Sequence, residues 1–395
     1  MTDSTSSFDD KQIPILKQYL HRLLELGGSD LHLKALGKPY GRVQGEIMPI
    51  GEDVQSREAM MTLAKELLRG RFGEFVQNKE IDLTFRLSDE FRFRVNMFFQ
   101  KDGVGMVFRT IPSEVPTIDG LGLPQQLKKL KDVQRGLVLI TGVTGSGKST
   151  TMASIINLIN ENKRKHIITI EDPIEFIHKD KYSIINQRSV GEDTNSFANA
   201  LRSALREDPD VILVGEMRDL ETIEIALHAA ETGHLVVSTL HTPDTKETLN
   251  RIIGMFDAKE QNRIRGALSS TLNTVVSQRL VRTRQGRRIA AVEILFKTPR
   301  IGELIKQKRD DEIKEALQDG KEVYGTQTFD QALLDLYYDE IISEDEAVAN
   351  ATSPDNIKLI INGVLGVKDK NRGDKLEGDD EGSKEDTIKI KFNDF

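Results

Sequence analysis

The sequence predicts an α/β fold built on a parallel sheet, and three observations carry that prediction. Leu137-Val138-Leu139-Ile140 and Val211-Ile212-Leu213-Val214 are four-residue apolar runs of the kind buried on both faces of a parallel sheet. From 125 to 290, strand-like and helix-like patterns alternate, as a chain of βαβ units requires. The first run leads into Gly142-Val143-Thr144-Gly145-Ser146-Gly147-Lys148-Ser149, which fits the phosphate-loop pattern G-x-x-x-x-G-K-[ST] without a mismatch. Met152, Ile155, Ile156 and Ile159 then recur at helical spacing, so the loop opens a helix.

In chain order, residues 1–10 read as a flexible, acidic start. Residues 11–110 mix one helical pattern, Ile13 to Leu26, with alternating strands at 81–87, 91–99 and 105–110. A linker over 111–124 follows from its prolines and glycines: Pro112, Pro116, Gly120, Gly122 and Pro124. The α/β core over 125–290 has candidate strands at 137–140, 166–170, 211–214 and 234–239. Residues 291–366 read as mostly helical, with amphipathic patterns around 331–336 and 344–350. From 367 to 395 charge and glycine dominate, which predicts a disordered tail with a short apolar end at Ile388-Lys389-Ile390-Lys391-Phe392.

Composition narrows the function classes. At 395 residues the chain has room for two or three domains. It contains no cysteine, which excludes a disulfide framework and a thiolate metal site. Its first ten residues are not a secretory signal, and no apolar run has bilayer-spanning length. The formal net charge of −8 argues against a general electrostatic grip on nucleic acid. Any contact with a membrane is expected to run through protein partners.

The loop residues have physical jobs. The glycines let backbone N–H groups turn inward around phosphate oxygens, and Lys148 supplies a cation. Ser149 can ligate Mg²⁺, and the helix start that includes Thr150 favours anions. The chain is therefore expected to bind a nucleoside triphosphate. Ligands of such sheets sit at the carboxyl ends of the strands. Glu216, which ends the 211–214 run, would face the γ-phosphate there and polarise the attacking water. Thr169-Ile170-Glu171-Asp172-Pro173-Ile174-Glu175 puts three carboxylates in five residues at another strand end. His234 and His241 bracket a further strand. Taken singly, such carboxylates are commonly a solvated loop and such histidines structural; their joint order after the phosphate loop is the specific signal.

These motifs together resemble the PilT family of type IV pilus retraction ATPases, within the secretion ATPase superfamily. The resemblance covers about 10 to 365 and includes a Walker A loop at 142–149, an Asp box at 169–175, a Walker B segment at 211–219 and a His box at 228–242. Ser29-Asp30-Leu31-His32-Leu33, Arg92-Phe93-Arg94-Val95-Asn96 and Val107-Phe108-Arg109 fit as well. It implies a PAS-like α+β N-terminal domain, a RecA-like P-loop ATPase core and a homo-hexameric ring. It also implies ATP and Mg²⁺ as ligands, with Glu216 as catalytic base, Glu175 aiding Mg²⁺ or its waters, and His241 sensing the γ-phosphate. Glu171, Asp172 and His234 would support them, and Arg94 and Arg109 would reach the nucleotide from the N-terminal domain. The cluster Arg279, Arg282, Arg284, Arg287 and Arg288 reads instead as a solvated hairpin.

The resemblance further implies a cytoplasmic motor peripheral to the inner membrane, acting on its platform protein and alongside a paralogous retraction or extension ATPase. The chain departs from the PilT pattern in several stretches, the first being the turn Lys34-Ala35-Leu36-Gly37-Lys38-Pro39. Arg300-Ile301-Gly302-Glu303-Leu304-Ile305-Lys306-Gln307 keeps an apolar frame with a different polar face, which leaves Gly302, Glu303 and Gln307 to contact something else. Residues 326–333 and the tail look closer to PilU, the accessory paralogue. Competing readings are a pilus assembly or type II secretion ATPase, a DNA-translocating motor, and a nucleotide-binding scaffold without turnover. The first usually carries an extra N-terminal domain and a four-cysteine module. Here about 130 residues precede the core and there is no cysteine. DNA translocation lacks a basic track, and intact Lys148 and Glu216 argue against a scaffold.

Overall fold

A computed structural model describes residues 11–88, 90–112 and 114–364. The expected flexible start, Ser113 of the linker and the charged tail with its 388–392 end lie outside the described residues.

The N-terminal unit is an antiparallel sheet covered on one face. Its strands are β1 (Gly28–Lys34), β2 (Tyr40–Val43), β3 (Glu46–Pro49), β4 (Glu80–Arg86), β5 (Arg92–Gln100) and β6 (Gly103–Ile111), in the order β3-β2-β1-β6-β5-β4. Helices α1 (Ile13–Glu25), α2 (Arg57–Leu68) and α3 (Phe72–Asn78) lie over it. Alternation decides the faces. Leu31, Leu33, Phe93, Val95, Met97, Met106 and Phe108 point to the helices and form the core with Leu20, Met60 and Phe75. The intervening Asp30, Arg94 and Arg109 face the other way. The start of α1 is fixed from α2, where the buried Glu66 carboxylate accepts the N–H groups of Lys11, Gln12 and Ile13 at 2.9–3.2 Å.

The strands expected at 81–87, 91–99 and 105–110 are β4, β5 and β6 within a residue or two. Strands β1 to β3 are additional; they are short or interrupted by turns, and pairing rather than local pattern makes them strands.

The second sheet has seven strands, in the order β13-β12-β7-β11-β10-β8-β9. These are β7 (Gly136–Thr141), β8 (His166–Glu171), β9 (Ile184–Ser189), β10 (Val211–Val214), β11 (Leu235–Leu240), β12 (Leu272–Arg282) and β13 (Arg288–Phe296). All neighbours pair in parallel except β12 and β13, which form an antiparallel hairpin.

Both faces are covered, which is why the central runs are apolar throughout. Val138, Ile140, Val211 and Leu213 pack under α4 (Lys148–Asn162), together with Leu127 and Leu130 of a 3₁₀ turn at Gln125–Asp132. Leu137, Leu139, Ile212 and Val214 pack on the opposite side. There they meet α5 (Phe197–Ala204), α6 (Leu220–Glu231), α7 (Thr245–Gly254), α8 (Gln261–Thr271), α9 (Pro299–Gln307) and α10 (Ile313–Asp319). Emptying one such core position, for example Leu139→Ala, would cost about 2–5 kcal/mol. The segment after 111 also packs down: Ile118 and Leu123 are buried in the α4 layer, and Ser154 Oγ of α4 donates to the Pro116 carbonyl at 2.6 Å.

The C-terminal helices α11 (Lys321–Tyr324), α12 (Phe329–Tyr338), α13 (Glu344–Asn350) and α14 (Pro354–Ile361) follow, and the last three pack on the β12–β13 hairpin. Strand β13 runs through residue 290, where the core was expected to end, because it pairs with β12 along its whole length. The arginine cluster does lie on a hairpin, but two members are not simply solvated. Arg279 stacks 3.8 Å over the Phe329 ring and donates to the Asn350 carbonyl, and Arg284 donates to the Ile342 carbonyl.

Candidate nucleotide site

The phosphate loop connects β7 to α4. Gly142, Gly145 and Gly147 have φ values of 144°, 78° and 91°, a region costly for residues with a Cβ. At Gly142 space also forbids one, since a Cβ would lie 2.5 Å from Ser146 Oγ and 2.6 Å from the Gln278 carbonyl. The loop therefore wraps tightly over the start of α4, whose unpaired N–H groups favour an anion. Lys148 is buried, and its Nζ donates to the carbonyls of Gly142 and Val143 at 2.9 and 3.1 Å. Burial pushes its pKa down, opposed by the negative charges of Glu216 and Glu175. The buried Ser146 hydroxyl has no partner among the described residues, so the loop interior holds an unspent donor. These features fit a polyphosphate.

The cleft over the loop has a volume of about 270 Å³, and the ends of three parallel strands aim carboxylates and a histidine into it. Glu216 follows β10 and is held from both sides. The Gly215 N–H before it donates to Ile170 of β8 at 2.7 Å, and Thr239 of β11 donates to the Gly215 carbonyl at 2.6 Å. A side chain at 215 would press on Ile170 and Glu171 backbone at 3.2–3.3 Å, which explains the glycine. Glu216 Oε2 pairs with Arg218 at 2.7 Å, and its Oε1 lies 3.3 Å from His241 Nε2. The other His241 nitrogen, Nδ1, lies 3.4 Å from Thr144 Oγ1 of the loop.

The Asp-box carboxylates divide their work. Glu171 is half-buried, and its partial loss of hydration raises its pKa, while hydrogen bonds from Thr169 (2.7 Å) and Gln187 (3.2 Å) favour its charged form. Its second oxygen accepts the Glu175 N–H at 3.4 Å, so Glu171 shapes the turn that presents the exposed Glu175 to the cleft. Asp172 lines the cleft and also a neighbouring groove that contains Arg94.

Of the residues expected at the site, Thr144, Gly145, Lys148, Ser149, Glu171, Asp172, Glu175, Glu216 and His241 line one cleft. Gly142, Val143, Ser146, Gly147 and Thr150 complete the loop and helix start around it. His234 is not brought there. It precedes β11, a strand length of roughly 20 Å from His241, and its Nδ1 lies 3.0 Å from the Ala229 carbonyl at the end of α6. Arg94 and Arg109 are not among the lining residues either. They stand directly opposite each other on β5 and β6, and Arg109 Nε is bound to Asp30 at 2.7 Å.

Sequence reading gave no role to Arg218, Phe176, Phe197 or His178, all of which line the cleft. The position of Arg218, two residues after Glu216, was the only signal available. His178 carries none: burial holds its pKa down at about 4, helped by the Lys181 charge, and only the fold buries it.

Residues 8–352 match the family model described as "Type II/IV secretion system protein". The chain is 47% identical over 334 residues to the "Type IV pilus retractation ATPase PilT" of Pseudomonas aeruginosa, covering 84% of this chain and 96% of that one. It is 41% identical over 350 residues to the "Type IV pilus ATPase PilU" of the same organism, covering 87% and 91% respectively. A crystal structure of the pilus retraction motor PilT with bound ADP superposes with a TM-score of 0.81 at 41% identity, covering 87% of this chain and 99% of that one. The RecA-like core and helical C-terminal part expected from the sequence agree with that likeness. The chain therefore belongs to the type II/IV secretion ATPase family, in the branch that holds PilT and PilU.

Proposed function

We propose that this chain is an ATP-hydrolysing motor that retracts type IV pili by driving pilin depolymerisation. The observation that carries the reading is the meeting of Lys148, Glu216 and His241 over one phosphate loop, in a chain related to PilT along most of its length. Lys148 and the loop N–H groups would hold the β- and γ-phosphates. Ser149 at the helix start would hold Mg²⁺, which supplies charge neutralisation at the phosphates, with Glu175 placed to bind its waters. Glu216, fixed between β8 and β11, would orient and deprotonate the attacking water. His241, between Glu216 and Thr144, would report the γ-phosphate to the loop.

Six copies would form the ring, with Arg94 and Arg109 completing the charge balance where units pack together. The motor would be cytoplasmic and work at the inner face of the membrane on the platform protein of the pilus machine, beside a paralogous ATPase. Among the described residues, no helix is long and apolar enough to cross a membrane.

The accessory, PilU-like reading has sequence observations in its favour: the altered polar face of α9, and residues 326–333 and the tail, which look closer to PilU. Identity is nevertheless higher to the PilT relative, at 47% against 41%. One experiment separates the readings. Expressed in cells that lack their retraction motor, the chain should restore twitching, and its Glu216→Gln variant should not. ATPase activity without rescue would assign the accessory role, and absence of ATPase activity would reject both.

A further inference from the structure

Beneath the nucleotide cleft runs a buried line of hydroxyl groups. Thr141, the last residue of β7 and the neighbour of Gly142, donates to Ser277 Oγ of β12 at 2.8 Å. Thr248 of α7 lies 3.4 Å from Thr141 Oγ1 and 2.7 Å from the hydroxyl of Thr242. Thr242 directly follows His241, and all four residues are buried. The line ties the strand that feeds the phosphate loop to the turn that carries His241, and α7 is the middle of the tie.

The position of α7 thus matters to the site, and its first turn is anchored from outside. The opening N–H groups of a helix have no partner within it. Asp244 accepts the N–H of Glu247 at 2.8 Å, and Glu293 of β13 accepts the N–H of Thr245 at 2.8 Å. Glu293 stands directly opposite Ser277 in the hairpin, so one strand pair holds both α7 and the far end of the hydroxyl line. It is only 6% exposed, with the Thr245 hydroxyl beside it. Burying a carboxyl is costly. Thr245 is itself buried, so its N–H cannot turn to water instead, and Glu293 is the acceptor that holds this first turn in place.

We infer that Glu293 is a positioning residue for ATP hydrolysis: by anchoring the first turn of α7 it fixes the His241–Thr242 turn, and with it the approach of His241 to Glu216. This rests on the proposed roles of His241 and Glu216. A cap that merely stabilised the domain would predict loss of stability without dependence on His241.

The test uses the full chain as wild type, Glu293→Ala, Glu293→Gln, His241→Ala and the Glu293→Ala/His241→Ala double variant, with kcat, KM for ATP and thermal midpoint measured for each. Glu293→Ala should lower kcat by about tenfold or more, because small misplacements of catalytic groups are costly. KM should stay within about twofold, since phosphate binding through Lys148 is untouched. Glu293→Gln should keep most of the turnover, its amide oxygen still accepting from Thr245. In the His241→Ala background, Glu293→Ala should cost nothing further. An unchanged kcat in Glu293→Ala, or the same fractional loss with and without His241, would overturn the inference while leaving the role of His241 intact. Wild-type turnover in His241→Ala would sink both. Should Glu293→Ala fail to fold, Glu293→Asp takes its place; it withdraws the carboxylate by one methylene, and unchanged turnover there would equally reject the idea.

Discussion

His241 and Glu216 face each other across the cleft, Nε2 to Oε1 at 3.3 Å, while the opposite ring nitrogen of His241 reaches Thr144 of the phosphate loop. One imidazole thus links Glu216 to Thr144 of the phosphate loop. Under the proposed mechanism, a loop movement at the γ-phosphate would reach Glu216 through this ring.

That arrangement separates binding from chemistry. Lys148→Ala should abolish ATP binding, because its buried ammonium is the cation that the phosphate loop 142–149 contributes to the cleft. Glu216→Gln should bind ATP but turn it over roughly 10²-fold or more slowly, the usual scale of a lost general base. Fluorescent-nucleotide binding and phosphate release, measured side by side, check this. Near-wild-type turnover in Glu216→Gln would remove Glu216 from the mechanism.

The N-terminal arginines predict dependence on assembly. Arg94 and Arg109 share one face of the N-terminal sheet, and neither lines the cleft within the chain. Specific activity should therefore rise with protein concentration, as sites complete themselves where units pack. Arg94→Ala should lower kcat on the order of 10³-fold, the lower range for an arginine at a transferring phosphoryl group. Light scattering should find about six subunits in the active form, the ring size implied by the family resemblance. A monomer at full specific activity would refute this.

Helix α9 offers a test of coupling. Its Ile301, Leu304 and Ile305 are buried, and Gly302 is buried too, with its carbonyl accepting from Ser269 of α8 at 2.7 Å. Gly302, expected on the free polar face, therefore belongs to the packed side. The free face is Glu303, Lys306 and Gln307, with Gln307 donating to Glu303 at 2.7 Å. Glu303→Ala/Gln307→Ala should change stability by only about 0.5 kcal/mol and leave ATP turnover nearly intact, yet impair retraction. Twitching and ATPase rate measured on the same variant decide it. Joint loss would mean that α9 supports the ring rather than its output.

His178 predicts an acid-sensitive fold. Its pKa is about 4 in the folded chain, against 6.5 ordinarily. As pH falls, the unfolded chain takes up this proton first, so stability drops between about 6.5 and 4. The full effect is on the order of 3 kcal/mol, about 2 kcal/mol of it by pH 5. Urea midpoints at pH 7 and pH 5 should differ less in His178→Gln than in wild type. An equal difference would show that other groups carry the acid sensitivity.

The parallel core, the phosphate loop and the placement of Glu216 at a strand end were legible in the sequence, because each is dictated locally. Runs such as 137–140 must be buried on both faces, glycines mark backbone that turns with positive φ, and a βαβ chain puts its loops at one end of the sheet. What the tertiary structure decided were the relationships between residues far apart in the chain. Strand β9, Ile-Ile-Asn-Gln-Arg-Ser, has no strand pattern and is one only because β8 supplies its hydrogen bonds. His234 and His241 looked alike as a pair bracketing β11, yet strand direction puts only the second at the cleft. Glu171 and Glu175 share a motif, but the hydrogen bond from the Glu175 N–H makes one the support of the other. The approach of His241 to Glu216 depends on the pairing of β10 with β11 and on the packing of α7. No local pattern encodes those distances, since they are set by how separate elements pack.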